Sequence, residues 1–156
     1  NDIAGSEYVY SYHNFKESSA PYFDLEAEYD LQQTIKQLIS QKQIQSAHDI
    51  SDGGLFVTLA ECAMPRQLGF SILTTFNELE IRKDAFLFGE TQSRVVVTIK
   101  AEDQDIFEDF MKEQSVPYFE VGVVTVSDFK VDTQVLMTTE EATELYDNTL
   151  GKHMDA

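Results

Sequence analysis

Cysteine and long apolar stretches are nearly absent from this chain. Cys62 is the single cysteine among 156 residues, so no internal disulfide and no zinc cluster of thiolates can form. Such cysteine usage is typical of a reducing compartment, and we expect a cytoplasmic protein. The sequence shows neither a stretch long enough to span a membrane nor a basic and apolar leader. Because Asn1 rather than Met stands first, we expect a piece of a longer protein.

Positive charge is also scarce. Eleven Lys and Arg residues face 28 Asp and Glu residues, which gives a net charge of -17 at pH 7 and a pI near 4.3. A field of this sign repels polyanions, so the composition argues against nucleic acid and anionic membranes as partners. It also opposes phosphate ligands unless backbone dipoles, a metal ion or another chain supplies the missing positive charge.

What the chain does contain is an ordinary globular composition. Hydrophobic residues make up 42% and aromatic residues 12% of it, which is typical of one domain with a real core. Helical and strand patterns are interleaved, and this predicts an α/β fold, a layered sandwich whose mixed sheet is covered by helices. We predict an arm at residues 1–23, the α/β domain at residues 24–150 and a tail at residues 151–156.

Caps, apolar spacing and helix breakers set the predicted helices. The first helix runs from its N-cap Asp24 to about Gln41. Its apolar residues recur at helical spacing: Leu31, Ile35, Leu38 and Ile39. The second covers Leu55 to about Met64 and ends at Pro65. Later helices are predicted at residues 82–89, at 101–114 with Ile106, Phe107, Phe110 and Met111 toward the core, and at 138–149, where "TTEE" resembles a capping box.

Strands are predicted from alternating or β-branched runs. They lie at residues 68–74, 93–99 and 118–125, with a strand pair at 129–137 and a short strand or turn at 44–50. Gly122 falls inside one of these runs, which indicates a bulge or a close approach of another backbone.

The stretch "SAHDISDGG" at 46–54 concentrates polar and flexible residues just before an apolar helix. It has an ordinary interpretation, in which Ser51 or Asp52 caps the helix and Asp49 stabilises a turn. It also has a functional one, in which the glycine pair leaves N–H groups open to an anion. Asp49 and Asp52 would then hold Mg²⁺, orient the loop or bond ribose hydroxyls. These residues alone do not decide between the two.

Longer segments resemble one family. "SAHDISDGGLFVTLAE" at 46–61, "LFGETQSRVVVTI" at 87–99 and "AGSEYVY" at 4–10 are similar to stretches of the C-terminal domain of the phosphoribosylformylglycinamidine synthases, which are relatives of AIR synthase. "DLEAEYDLQQTI" at 24–35 suits the first long helix of that domain. The matches cover most of the chain in the expected order, so an AIR-synthase C-terminal-domain-like fold is expected.

The resemblance implies an activity for the parent protein. It would be a purine-biosynthesis ligase that converts formylglycinamide ribonucleotide, ATP and glutamine-derived ammonia to formylglycinamidine ribonucleotide. ATP would phosphorylate the formamide oxygen, and ammonia would displace the phosphate. ATP and Mg²⁺ would serve the full enzyme, with no cofactor assigned to this chain, and the isolated domain would be inactive. The implied partners are the remaining domains of the parent enzyme and a glutaminase domain or subunit.

The resemblance also implies a nucleotide- or phosphate-binding site. Family enzymes contact the substrate in their first half through a Glu-Ser-Gln segment and a glycine-containing loop. The counterparts in this chain are Glu90, Thr91 and Gln92, together with Asp49, Ser51, Asp52, Gly53 and Gly54. No catalytic residue carries over, and no metal ligand is assigned. Arg94 is expected to pair with Glu90 or a nearby acid, and Gly53 and Glu90 are expected to border one cleft.

Two other interpretations stay open at this point. The chain could come from another AIR-synthase relative, such as selenophosphate synthetase, thiamine monophosphate kinase or a hydrogenase maturation factor, although "FGETQSR" at 88–94 fits them poorly. It could also be a non-catalytic acidic interaction domain in which the 46–54 loop only starts a helix.

Overall fold

The computed structural model describes residues 3–75 and 81–154, and the structural statements below concern those residues. The first two residues of the predicted arm and the last two of the predicted tail lie outside them. The chain divides into two compact units, the first made of residues 1–58 and 82–119 and the second of residues 59–81 and 120–156. The boundary falls within the second helix.

The described residues alternate between helices and strands as the sequence predicts. The helices are α1 (Leu25–Ser40), α2 (Gly54–Ala63), α3 (Lys83–Phe88), α4 (Gln104–Lys112) and α5 (Thr139–Met154). The strands are β1 (Ser46–Asp49), β2 (Gly69–Ile72), β3 (Val95–Thr98), β4 (Gly122–Thr125), β5 (Asp128–Val131) and β6 (Gln134–Thr138). A π-helical turn covers Tyr8–Tyr12, and short 3-10 turns cover Met64–Arg66 and Ala101–Asp103.

Helix α1 begins where its cap predicts. The Asp24 carboxylate accepts hydrogen bonds from the N–H groups of Glu26 and Ala27 at 3.0 and 3.1 Å, which satisfies two of the free donors of the first turn. Leu31 and Leu38 are buried. Ile39, which shares the helical spacing of these residues, is 56% exposed, because it lies about 100° around the helix from Leu38.

The core of the first unit joins α1, α4 and a two-stranded sheet. Leu38, Phe107 and Met111 are buried together, and partly buried hydrophobic residues from β3 and the loops pack on them. Strands β1 and β3 pair antiparallel, from Ser46 opposite Thr98 to Asp49 opposite Val95. Ile106 was predicted to face the core but is 57% exposed, because the packing face of α4 is centred on the Phe107–Met111 pair.

The second unit contains a four-stranded mixed sheet in the order β4-β2-β5-β6. Strand β2 is antiparallel to β4 and parallel to β5, and β5 is antiparallel to β6. The rings of Phe70 and Phe129 stack at 4.6 Å between centroids in its core. The prediction of a mixed sheet is confirmed, but the strands form two separate sheets because β1 and β3 pair only with each other within the described residues.

The start of β4 and the end of α5 differ from the predictions. Strand β4 begins at Gly122 rather than near 118, and its ladder with β2 runs from Gly122 opposite Ile72 to Thr125 opposite Gly69. A Cβ on Gly122 would lie 2.0 Å from the Ser71 carbonyl oxygen, so the predicted close approach is confirmed. Helix α5 continues to Met154 instead of ending near Thr149. The domain limits 1–23, 24–150 and 151–156 remain predictions.

Candidate functional site

The three segments that carry the family resemblance meet at one carboxylate of the first unit. Glu90 follows α3, and its Oε1 atom accepts hydrogen bonds from the Gly53 N–H and the Glu7 N–H, both at 2.8 Å. Gly53 belongs to the loop before α2, and Glu7 belongs to the arm. Gly53 and Glu90 therefore lie together, as expected, and Glu7 joins them, while the cleft that they are expected to border stays a prediction.

The same contact corrects one expectation about the glycine pair. The Gly53 amide is not bare, because the Glu90 carboxylate occupies the position at the start of α2 where an anion was expected. Gly53 and Gly54 adopt positive φ angles of 82° and 71°, and the Gly54 N–H bonds back to the Ser51 carbonyl at 3.0 Å. The two glycines thus form a tight turn, and the negatively charged Glu90 side chain binds the Gly53 amide of that turn.

Arg94 holds the loop that carries Glu90, Thr91 and Gln92. Its Nε donates to the Thr91 carbonyl at 3.1 Å, and its Nη2 donates to the Gly89 carbonyl. The expected pairing with Glu90 or a nearby acid is therefore wrong, since these two donors bind backbone oxygens on both sides of Glu90. Burial lowers the pKa of the Arg94 guanidinium from its ordinary value. Ser93, in the same loop, has a φ of 61°.

The remaining predicted site residues are accessible to a ligand. Ser51, Asp52 and Gln92 are exposed, and Thr91 is half-buried. Asp49 lies at the end of β1 with 79% of its side chain exposed. A carboxamide and hydroxyl groups at this place can bond sugar hydroxyls or amides of a ligand. The acids and Glu90 make the same surface unfavourable for a phosphate group.

The structure also gives the arm a contact that the sequence reasoning missed. Tyr8 stacks on Phe88 at 4.8 Å between ring centroids and on Tyr12 at 5.2 Å. Phe88 stands two residues before Glu90, so the ring contact and the Glu7 amide hold the arm at neighbouring points. The aromatic spacing of "EYVYSY" at 7–12 is the signal in the sequence that indicates such packing.

The described part of the chain contains no preformed cluster of metal ligands. Among residues 3–75 and 81–154, no group of three or more His, Cys, Asp or Glu side chains could hold a metal ion. Asp49 or Asp52 could still offer a carboxylate to a nucleotide-bound ion, since Mg²⁺ in nucleotide enzymes is held by one or two carboxylates together with phosphates and water. Within the same residues, no helix combines the length and the apolar character that crossing a membrane requires.

Comparison with known proteins decides the family. The family described as "AIR synthase related protein, C-terminal domain" matches residues 2–133. The chain belongs to this family. Its place there agrees with the convergence of the three motif segments at Glu90.

Several curated relatives of this AIR-synthase-related domain share one name. The present chain is 37% identical to "Phosphoribosylformylglycinamidine synthase subunit PurL" of Alkaliphilus metalliredigens over 123 residues. This alignment covers 79% of the chain and 16% of the relative. The subunit PurL of Chlorobium luteolum is 38% identical over 152 residues, which covers 92% of this chain and 20% of the relative. The chain thus spans a fifth or less of the length of these relatives.

Solved structures confirm the α/β fold class. "T. maritima PurL complexed with FGAR" superposes with a TM-score of 0.68 at 17% identity, over 80% of this chain and 22% of that one. "T. maritima PurL complexed with AMPPCP" gives a TM-score of 0.58 at 15% identity, over 72% of this chain and 21% of that one. At such identities the likeness shows the fold.

Proposed function

We propose that this chain is the C-terminal domain of a phosphoribosylformylglycinamidine synthase and acts as part of that larger ligase. The ligase would convert formylglycinamide ribonucleotide, ATP and glutamine-derived ammonia to formylglycinamidine ribonucleotide. Family membership and the relatives named PurL support this proposal. The single observation that carries it is the meeting of the three motif segments, at Glu7, Gly53 and Glu90, because a functional site needs such residues side by side.

The domain would supply one wall of a nucleotide pocket. The wall consists of Glu90, Thr91 and Gln92 together with Asp49, Ser51, Asp52, Gly53 and Gly54. Because a carboxylate already occupies the Gly53 amide, the wall suits the ribose or amide part of a nucleotide better than its phosphate. The phosphates would be bound by positive groups of other domains.

Other parts of the ligase would supply what this domain lacks. ATP would activate the formamide oxygen, and other domains would supply most of the ligands of Mg²⁺. The complexes of Thermotoga maritima PurL with FGAR and with AMPPCP support a nucleotide substrate and ATP as ligands of the full enzyme. We propose a glutaminase domain or subunit as the ammonia source and the cytoplasm as the location.

The test uses the full-length protein that contains this chain. Its ATP- and ammonia-dependent conversion of formylglycinamide ribonucleotide is measured for the wild type, for Gln92→Ala and for the control Asp105→Asn, which changes an exposed acid of α4. Loss of one hydrogen bond to the substrate should raise KM about tenfold in Gln92→Ala. Asp105→Asn should leave KM unchanged, and Asp49→Asn should weaken the Mg²⁺-dependent rate.

One observation favours a second candidate, in which the loops serve only to hold the fold. The Oε1 atom of Glu90 and the Nε atom of Arg94 already form hydrogen bonds with backbone groups of this chain. A domain of this kind would be a non-catalytic interaction module of the parent protein. In that case the wild type would still be active, while Gln92→Ala and Asp49→Asn would match Asp105→Asn in every kinetic constant.

A further inference from the structure

The Glu90 carboxylate ties together two backbone segments that are distant in sequence. Its Oε1 atom accepts the Glu7 N–H from 83 positions away and the Gly53 N–H from 37 positions away, each at 2.8 Å. Hydrogen bonds to an ionised acceptor at this length are among the stronger ones in proteins. A single side-chain atom therefore fixes the arm and the glycine turn relative to the loop that carries Thr91 and Gln92.

We propose that Glu90 is a positioning residue of the nucleotide pocket: it fixes the loop on which Gln92 contacts the substrate under the proposed function. This inference rests on the proposed function for its catalytic consequences, but its structural part does not. The Glu90 oxygen that accepts both amides has its lone pairs in use. A bond from this oxygen to a substrate hydroxyl would release one of the two amides, whereas the Gln92 side chain is exposed. Direct contact through the second oxygen of Glu90, Oε2, is tested by Glu90→Gln below.

Two neighbouring contacts make this arrangement rigid. Arg94 binds the carbonyls of Gly89 and Thr91, which flank Glu90 on both sides. Tyr8, next to the Glu7 amide, stacks on Phe88 with an interplanar angle of 10°. The two amides therefore bind the carboxylate, while Arg94 fixes the backbone on both sides of Glu90. Side chains placed in this way set the geometry of a site through other groups.

The role predicts which chemical property of Glu90 is needed. Positioning requires an oxygen that accepts two N–H bonds, and the amide oxygen of Gln has the same reach and the same two lone pairs. Accepting a proton, or binding a metal ion or a cationic ligand, requires the negative charge. Glu90→Gln and Glu90→Ala therefore separate the two roles, because only the second removes the acceptor.

The experiment measures both structure and kinetics in the full-length protein. Hydrogen exchange is followed in the peptides that contain Glu7 and Gly53, and KM and kcat are measured with formylglycinamide ribonucleotide. Glu90→Ala should speed exchange about tenfold at both amides together and raise KM about tenfold, with a smaller change in kcat. Glu90→Gln should stay within about threefold of the wild type in exchange and in KM. Gln92→Ala serves as the matched control, with raised KM and unchanged exchange at both amides.

The outcomes that would overturn the inference are distinct. If Glu90→Gln lowers kcat as far as Glu90→Ala does, the charge itself takes part and Glu90 is not a positioning residue. If Glu90→Ala leaves exchange at both amides unchanged, the tie is not formed in the full protein. If the wild type does not act on the ribonucleotide, the proposed function fails, while the exchange comparison still decides whether Glu90 holds the two segments.

Discussion

Gly54 lies directly against the backbone of Phe88. A Cβ at position 54 would stand 2.7 Å from the Cα and from the carbonyl carbon of Phe88, and Gly54 has a φ of 71°. No side chain fits there without a shift of the backbone. This contact places the start of α2 against the end of α3, and it brings the Gly53 amide within hydrogen-bonding distance of Glu90.

The first prediction concerns this glycine. Gly54→Ala should lower the free energy of unfolding by about 3 kcal/mol, because a positive φ and a backbone clash act together. Gly151→Ala is the matched control, since nothing lies within 4 Å of an added Cβ in α5. The control should be neutral or stabilise by up to about 1 kcal/mol. Urea denaturation measures the free energy of unfolding of both variants. Equal values would contradict the close contact between Gly54 and the Phe88 backbone.

The second prediction concerns Arg94. Arg94→Met removes both donors to the Gly89 and Thr91 carbonyls while keeping much of the side-chain volume. We expect a loss of about 2 kcal/mol in stability. Arg94→Lys keeps the charge but cannot reproduce the fork of the guanidinium, so it should recover only part of that loss. If Arg94→Lys is as stable as the wild type in urea denaturation, the two-carbonyl contact is not what the loop requires.

The third prediction concerns the single thiol. Burial, and after it the neighbouring Glu61 carboxylate, raises the pKa of Cys62 above its ordinary value. Because the thiolate is the reactive form, alkylation by iodoacetamide near pH 7 should be slower in the folded chain than in urea. The rate should rise steeply only at alkaline pH. Equal rates in the folded and unfolded chain would contradict a thiol whose pKa is raised by burial.

The fourth prediction concerns the start of α5 and its pH dependence. The Glu141 carboxylate accepts the Thr138 N–H at 2.8 Å while the Thr138 hydroxyl accepts the Glu141 N–H at 3.2 Å, which is the capping box that "TTEE" predicts. The backbone bond from Thr138, and then its hydroxyl, lowers the pKa of Glu141. A lowered folded pKa means that this stabilisation is present above the unfolded value and is lost as the pH falls through the folded value.

The variant Glu141→Gln measures that contribution. Its stability deficit relative to the wild type, from urea denaturation, should be largest near neutral pH and should shrink below about pH 4. Thr138→Ala serves as a second probe, since it removes the hydroxyl while leaving the carboxylate in place. A deficit of Glu141→Gln that does not change with pH would contradict the assignment.

Local signals predicted much of the fold. Asp24, Pro65 and the "TTEE" sequence mark helix ends through bonds or restrictions within a few residues, and the structure places the ends of α1 and α2 and the start of α5 at or next to them. Helical spacing was less reliable for single residues. Ile39 and Ile106 share their helices with core residues, yet a neighbouring element covers only a narrow face of each helix.

Long-range pairing could not be predicted in the same way. The parallel partnership of β2 and β5, and the separate β1–β3 ladder, depend on which strands meet in space. The site shows the same limit. The motif segments indicated Gly53 and Glu90, but only the fold shows that the Glu90 carboxylate takes the Gly53 amide and that Arg94 binds carbonyls rather than acids.

The most direct test of the account is hydrogen exchange of the full-length protein with and without saturating formylglycinamide ribonucleotide. The central claim is that this domain forms one wall of the nucleotide pocket, through the 49–54 loop and the loop at residues 89–93. We predict slower exchange in both segments when the ribonucleotide is bound, with no change in α4. Exchange that slows only in other domains, with both segments unchanged at saturation, would contradict it.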